Sequence, residues 1–167
     1  GAKLALAESY RNVATGGAQP LAISDCLNFG SPEDPDVMWQ FAEVIRGMRD
    51  ACSALKVPVV SGNVSFYNET DGVPIYPTPT IGMVGILEKI NRVVTPWFKS
   101  SGDVVVMLGR TREELGGSEY LSWVHGLTRG TPPWIDLKME QAVQRCCLEA
   151  IDDGILGCGA DEHRRSR

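Results

Sequence analysis

Several common functions are excluded by what the sequence lacks. It holds two histidines, His125 and His163, too few and too scattered for a histidine metal cluster or a Ser/His/Asp triad. Its five cysteines are Cys26, Cys52, Cys146, Cys147 and Cys158. The number is odd and no pair has CxxC spacing, which argues against a zinc site and a disulfide framework. Reduced, mostly buried thiols in a cytoplasmic protein are expected, with Cys52 and Cys146 in helical apolar patterns. There is no GxxxxGK[ST] loop, and no GxGxxG follows a strand. No apolar run is long enough to span a membrane. Glu8, Arg11 and Asn12 interrupt residues 1–20, so no signal peptide is expected. Positive charge is also in deficit. Sixteen Lys and Arg face 21 Asp and Glu, for a net charge of -5 and a pI near 5.0. This balance argues against non-specific nucleic-acid binding. Arg164, Arg165 and Arg167 read as a solvated tail. No internal repeat or low-complexity segment is present.

The sequence does contain enough for a real core, since 43% of its 167 residues are hydrophobic. That length suits one domain, or one domain and part of another. Residues 3–14 read as a helix with a Leu6, Tyr10 and Val13 stripe. Leu21–Ser24 reads as a short strand ending at Asp25, after a turn at Thr15–Pro20. Residues 36–55 form a long helix in which Val37, Phe41, Val44, Met48, Cys52 and Leu55 repeat every 3.6 residues. Val57–Val60 reads as a buried strand entering the polar stretch Ser61–Glu69. Further strands are expected at residues 73–76, 80–88 and 104–109, the last of them buried. A short helix opens after Gly116–Gly117–Ser118–Glu119, and residues 136–153 form an amphipathic helix. Strands alternate with helices, but several strand pairs look hairpin-joined, so the expected class is α+β, a mixed α/β arrangement. The first domain is expected over residues 1–99 and the start of a second, α/β domain over 100–167. The chain opens abruptly in structured-looking sequence, so a fragment is expected.

Three places put oxygen donors at the end of an ordered element: Glu8 with Asn12 on one helix face, Asp25 with Asn28, and Asn63 with Ser65. None alone completes a magnesium shell, which takes carboxylates, amide oxygens, water and phosphate in octahedral array. Together, near the ends of neighbouring elements, they could form a magnesium–nucleotide site. Gly62, lacking a Cβ, would let a ligand approach the backbone. Each donor also has a plain reading as a helix-surface, cap or turn residue. Gly116–Glu119 suits an anion at a helix start or a plain entry capped by Ser118.

Four motifs occur in order: Asp25–Cys26–Leu27–Asn28–Phe29–Gly30–Ser31–Pro32–Glu33, Ser61–Gly62–Asn63–Val64–Ser65–Phe66–Tyr67–Asn68–Glu69, Pro77–Thr78–Pro79–Thr80–Ile81–Gly82–Met83–Val84–Gly85, and Gly116–Gly117–Ser118–Glu119. The set resembles the synthetase subunit of the small, multi-subunit phosphoribosylformylglycinamidine synthases, over about residues 1–155. The resemblance implies an aminoimidazole-ribonucleotide-synthetase-like fold. This chain would be most of the N-terminal domain of the second half and the start of its C-terminal domain. It implies ATP-dependent conversion of formylglycinamide ribonucleotide and glutamine-derived ammonia to formylglycinamidine ribonucleotide. ATP and magnesium are the implied cofactors. The implied partners are a glutaminase subunit, a small accessory subunit and the first half of the same enzyme.

Carried over by position, Asp25 and Gly62 match contacts to ATP, Asn63 a magnesium ligand and Ser65 a contact to the ribonucleotide. Glu8 and Asn12 match magnesium ligands at an auxiliary nucleotide site. Two departures stand out. The half bearing the general acid/base histidine is absent, and after the last helix the family's His-Asp-x-Ser-Asp-Gly-Gly pattern is replaced by residues 157–167. Asp161 and His163 therefore do not take over that motif's role, and the chain alone is expected to be inactive. The alternatives are another enzyme of the superfamily, or a non-catalytic module that binds a structural nucleotide or pairs with a partner sheet. An unpaired sheet predicts self-association through strand edges.

Overall fold

The computed structural model describes residues 1–159; Asp161, His163 and the arginine tail lie outside them. The first helix, α1, spans Ala2–Ala14. Strand β1 spans Gln19–Asn28 and helix α2 Pro35–Leu55. Strand β2 is Val59–Ser65, the short β3 and β4 are Glu69–Thr70 and Val73–Pro74, and β5 is Thr78–Ile86. Helix α3 is Glu119–His125 and α4 is Leu137–Asp152. The α+β class expected from the sequence is the observed one.

Helix α2 is bounded by local chemistry. The Asp34 carboxylate accepts a hydrogen bond from Asp36 N at 2.8 Å, Pro35 occupies the first turn, and Lys56 closes the helix in the left-handed conformation. Helix α2 then carries the chain across to β2, which pairs parallel with β1. The β5 strand pairs antiparallel on the other side of β1, giving the sheet order β2–β1–β5. The β3–β4 pair forms a hairpin just after Asn68.

The helices cover one face of this sheet. Ile23, Leu27 and Phe29 from β1 and its exit pack with Leu6, Tyr10, Val37, Met48, Ala51, Leu55 and Val57. Phe29 is fully buried and lies 5.3 Å, centroid to centroid, from Phe41 in an edge-on contact. Phe66 closes this triad at 5.4 Å from Phe41. The pair of helices α1 and α2 meets at Gly47, where a Cβ would come 3.3 Å from Ala2 Cβ.

Several elements differ from the sequence reading. Strand β1 is longer than four residues because both neighbours bond to it. Strand β2 begins at Val59 and runs through Ser65, so Ser61–Ser65 are strand and not the turn after it. It is also an edge: Val57 is buried, but Val59 and Val60 are exposed, and a bulge at Val60 interrupts the register with β1. Residues 104–109 form no strand, and Val104 is 86% exposed. Their apolar run finds no neighbouring strand among the described residues. In α4 the buried thiol is Cys147, and Cys146 is exposed. The short helix α3 begins as expected, with Ser118 Oγ accepting from Leu121 N at 3.2 Å, and His125 ends it.

Phe29→Ala is expected to lower unfolding free energy by about 3–5 kcal/mol, as for a fully buried aromatic that leaves a cavity. Urea denaturation measures this; a loss below about 1 kcal/mol would show that the aromatic triad is not the centre of the core.

Candidate nucleotide site

Strand β1 sorts the candidate residues by alternation. Ile23, Asp25 and Leu27 point to the helix-covered face, while Ser24, Cys26 and Asn28 point to the open face. On β2 the same parity holds in register: Gly62 sits opposite Asp25, Asn63 opposite Cys26, and Ser65 opposite Asn28. The hydroxyls of Ser61 and Ser24 meet at 2.8 Å on the open face.

Asp25 is therefore a mid-strand carboxylate on the covered side. Its side chain lies over Gly62, where a Cβ would come 2.6 Å from Asp25 Cγ. The space that a glycine leaves at 62 is filled by this carboxylate. Burial pushes the Asp25 carboxyl above its ordinary value of 3.8. Cys52 on α2 stands within its field: burial, and then the charge on Asp25, pushes the Cys52 thiol up.

Asn63 and Ser65 lie on the opposite, open face. Asn63 is exposed. Ser65 is held from below by Asn68, whose Nδ2 donates to Ser65 O at 3.0 Å and to Phe29 O at 3.0 Å. An Asn side chain just past a strand end readily folds back on the backbone in this way.

Glu8 and Asn12 share one face of α1, one helical turn apart. Helix α1 runs along β5 on the covered side: Ser9 Oγ lies 3.3 Å from Ile81 O, and Val13 packs against Gly85. The Asn12 Oδ1 atom is buried and has no hydrogen-bond partner among the described residues. A neighbouring contact that sequence alone did not signal ties α1 to α4. Arg11 pairs with Glu140 at 2.7 Å, and the same carboxylate oxygen accepts from Gln144 Nε2 at 2.8 Å.

Glu8–Asn12 and Asn63–Ser65 thus lie on opposite faces of the sheet. Strands β2 and β5 flank β1 and stand about 10 Å apart, two strand spacings. Asn63 lies on the open face and α1 on the covered one. A magnesium ion reaches its oxygen ligands at about 2.0–2.1 Å, so no single ion is shared between Glu8–Asn12 and Asn63. Among the described residues, no three His, Cys, Asp or Glu side chains group as a metal shell. An orphaned amide oxygen beside a carboxylate is the right donor set for part of a magnesium shell, with water and phosphate supplying the rest. Two shallow concavities, one beside Asp34, Gln40 and Tyr76 and one beside Gln19, Lys89 and Asp152, contain none of the six candidates.

These elements define a domain class. The chain belongs to the AIR synthase related protein family, whose N-terminal domain it matches over residues 1–87. Among particular proteins, it is 54% identical over 161 residues to phosphoribosylformylglycinamidine synthase subunit PurL of Anaeromyxobacter sp. (strain Fw109-5), which covers 96% of this chain and 21% of that protein. Thermotoga maritima PurL complexed with FGAR superposes with a TM-score of 0.63 at 26% identity, over 92% of this chain and 21% of that one. T. maritima PurL complexed with ATP does so with a TM-score of 0.53 at 38% identity, over 58% of this chain and 16% of that one. The chain spans about a fifth of the length of the curated relatives it matches.

Asp25 gives a pH test. With its folded pKa raised, the native state holds more protons than the unfolded state between pH 3.8 and the folded pKa. Stability attributable to this group therefore falls as pH rises through that window and stays lower at neutral pH. Asp25→Asn is expected to melt higher than the parent at pH 7, with the advantage vanishing below the unfolded pKa of 3.8. Thermal melts across pH 3–8 decide this, and a variant that melts lower at pH 7 would mean that the carboxylate is held by favourable contacts.

Proposed function

We propose that this chain forms one wall of an ATP-dependent carbon–nitrogen ligase. The enzyme would convert formylglycinamide ribonucleotide and glutamine-derived ammonia to formylglycinamidine ribonucleotide in purine biosynthesis. The observation that carries the reading is the register of β1 on β2. It sets Asp25 against Gly62 on the covered face and puts Asn63 and Ser65 on the open face of the same strand pair, within a stretch 54% identical to PurL over 161 residues.

In this reading ATP phosphorylates the substrate's amide oxygen, releasing ADP, and ammonia then displaces that phosphate. Gly62 and Asp25 line the ATP, and Ser65 contacts the ribonucleotide. Asn63 faces a magnesium ion, while Glu8 and Asn12 hold another at a separate, auxiliary nucleotide site. The distance between the clusters and the unpartnered Asn12 Oδ1 support two sites over one. Magnesium, when bound, offsets the charge on the phosphates. Asp25 keeps its carboxylate in a place that disfavours charge, a cost that fits a functional role better than a structural one. The general acid/base comes from the first half of the enzyme, outside this chain.

Residues 1–99 would be a truncated N-terminal domain and residues 100–167 the start of a C-terminal α/β domain. The exposure of Val104–Leu108 supports this division, since an apolar run of that kind suits a strand covered by more of its own domain. The partners would be the first half of the enzyme, a glutaminase subunit and a small accessory subunit, in the cytoplasm. No described helix is long and apolar enough to cross a membrane.

A second reading, a module that only pairs with a partner, is favoured by the exposed edge residues Val59, Val60 and Val84. Nucleotide-dependent melting separates the two. The first reading expects millimolar ATP with magnesium to raise the melting temperature, with the magnesium-dependent part reduced in Asn12→Ala. No shift at all supports the pairing module. The isolated chain is expected to yield no formylglycinamidine ribonucleotide from ATP, ammonia and the substrate; robust product would overturn the half-site reading. Sedimentation is expected to show self-association through the free edges of β2 and β5 as concentration rises. A strictly monomeric mass would count against it.

A further inference from the structure

We propose that Asn68 is a positioning residue that holds the Ser65 hydroxyl for the ribonucleotide, an inference that rests on the role given to Ser65 above. Ser65 is the last residue of β2, where a strand would ordinarily release its side chain to a mobile loop. Asn68 prevents that. Its amide nitrogen lies 3.1 Å from Ser65 Oγ and its amide oxygen 3.3 Å from the same atom. The same nitrogen donates to Ser65 O and to Phe29 O, both at 3.0 Å. One side chain therefore joins the exits of β1 and β2 and grips the hydroxyl as well.

The backbone reinforces this clasp. Tyr67 N donates to Gly30 O at 2.9 Å, and Asn68 N donates to Phe29 O at 3.1 Å. Tyr67 takes a φ of 61°, which a side chain of its size rarely adopts. Its own ring is 61% exposed, so packing of that ring does not explain the turn. The turn aims residue 68 back at Ser65, and Phe66 is anchored between Phe29 and Phe41. Strain held by surrounding bonds at a candidate ligand contact is the signature of preorganisation. Among the described residues, no other side chain hydrogen-bonds the Ser65 hydroxyl.

The test uses the complete synthase carrying this sequence. Ser65→Ala, Asn68→Ala, the near-isosteric Asn68→Asp and the double variant Ser65→Ala/Asn68→Ala are compared by steady-state kinetics, with melting temperatures recorded for each. Asn68→Ala is expected to raise KM for formylglycinamide ribonucleotide about tenfold while KM for ATP stays within about twofold. Ser65→Ala is expected to do the same, and the double variant to be little worse than either single one, since both act through one hydroxyl. Asn68→Asp keeps the shape but loses the donor to Ser65 and Phe29, so its melting temperature is expected to fall, while its KM defect stays confined to formylglycinamide ribonucleotide with KM for ATP within about twofold. If Ser65→Ala raises KM but neither Asn68 variant does, or if those variants weaken all substrates in step with lost stability, the positioning role is overturned and the reading of Ser65 stands. If Ser65→Ala leaves KM unchanged, the reading of Ser65 falls and this inference falls with it.

Discussion

The fold depends on β1 being bonded along both edges. It pairs parallel with β2 and antiparallel with β5, and its Ile23, Leu27 and Phe29 side chains supply the centre of the core. A strand so constrained cannot slip by one residue without turning Ile23 and Leu27 to the open face and Ser24 and Cys26 into the core. The same constraint fixes Asp25. Its carboxylate is carried to the covered face because it shares parity with two core residues, and Gly62 leaves the room to accept it. Core and candidate site are thus set by one register.

That arrangement places chemistry on both sides of a thin sheet. On the covered side, burial disfavours the charge on Asp25, and α2 brings Cys52 into its field. On the open side, Ser24, Ser61, Asn63 and Ser65 present small polar groups with no described helix above them. An apolar face would have to be covered to be stable, whereas a face of hydroxyls and amides tolerates water until a ligand or a partner replaces it. The covered side supplies the core and also carries the Asp25 carboxylate, and the open side presents polar groups to solvent.

The sequence revealed the helices well, because their signals are local. Asp34–Pro35 starts α2, Lys56 ends it, and the 3.6-residue stripe lies between them. Strand β2 was misplaced by a few residues because Ser61, Asn63 and Ser65 read as a turn when seen along the chain. Backbone pairing with β1, in which Ser61 lies opposite Ser24, makes them strand. Residues 104–109 failed for the opposite reason. Their β-branched run has strong propensity, but a strand exists only by pairing, and no described partner lies beside it. The candidate residues were legible as oxygen-bearing types at motif positions. Their division between two faces was not, since it depends on a register that only the folded sheet supplies. The link from Arg11 to Glu140 and Gln144 was equally hidden, with 129 residues between the ion-paired side chains.

The division of donors between faces bears on how the proposed reaction could be organised. Asn63 on an edge strand can meet a ligand from the open side without disturbing the core. Asn12 sits on α1, whose neighbour Arg11 is tied to α4 through a partly buried ion pair. Ligand binding at Asn12 would therefore act on the contact between α1 and α4, whereas binding at Asn63 would act on the sheet and on whatever covers it. The two sets of donors would thus act on different parts of the fold, one placed by the register of β2 on β1 and the other by the packing of α1 against β5.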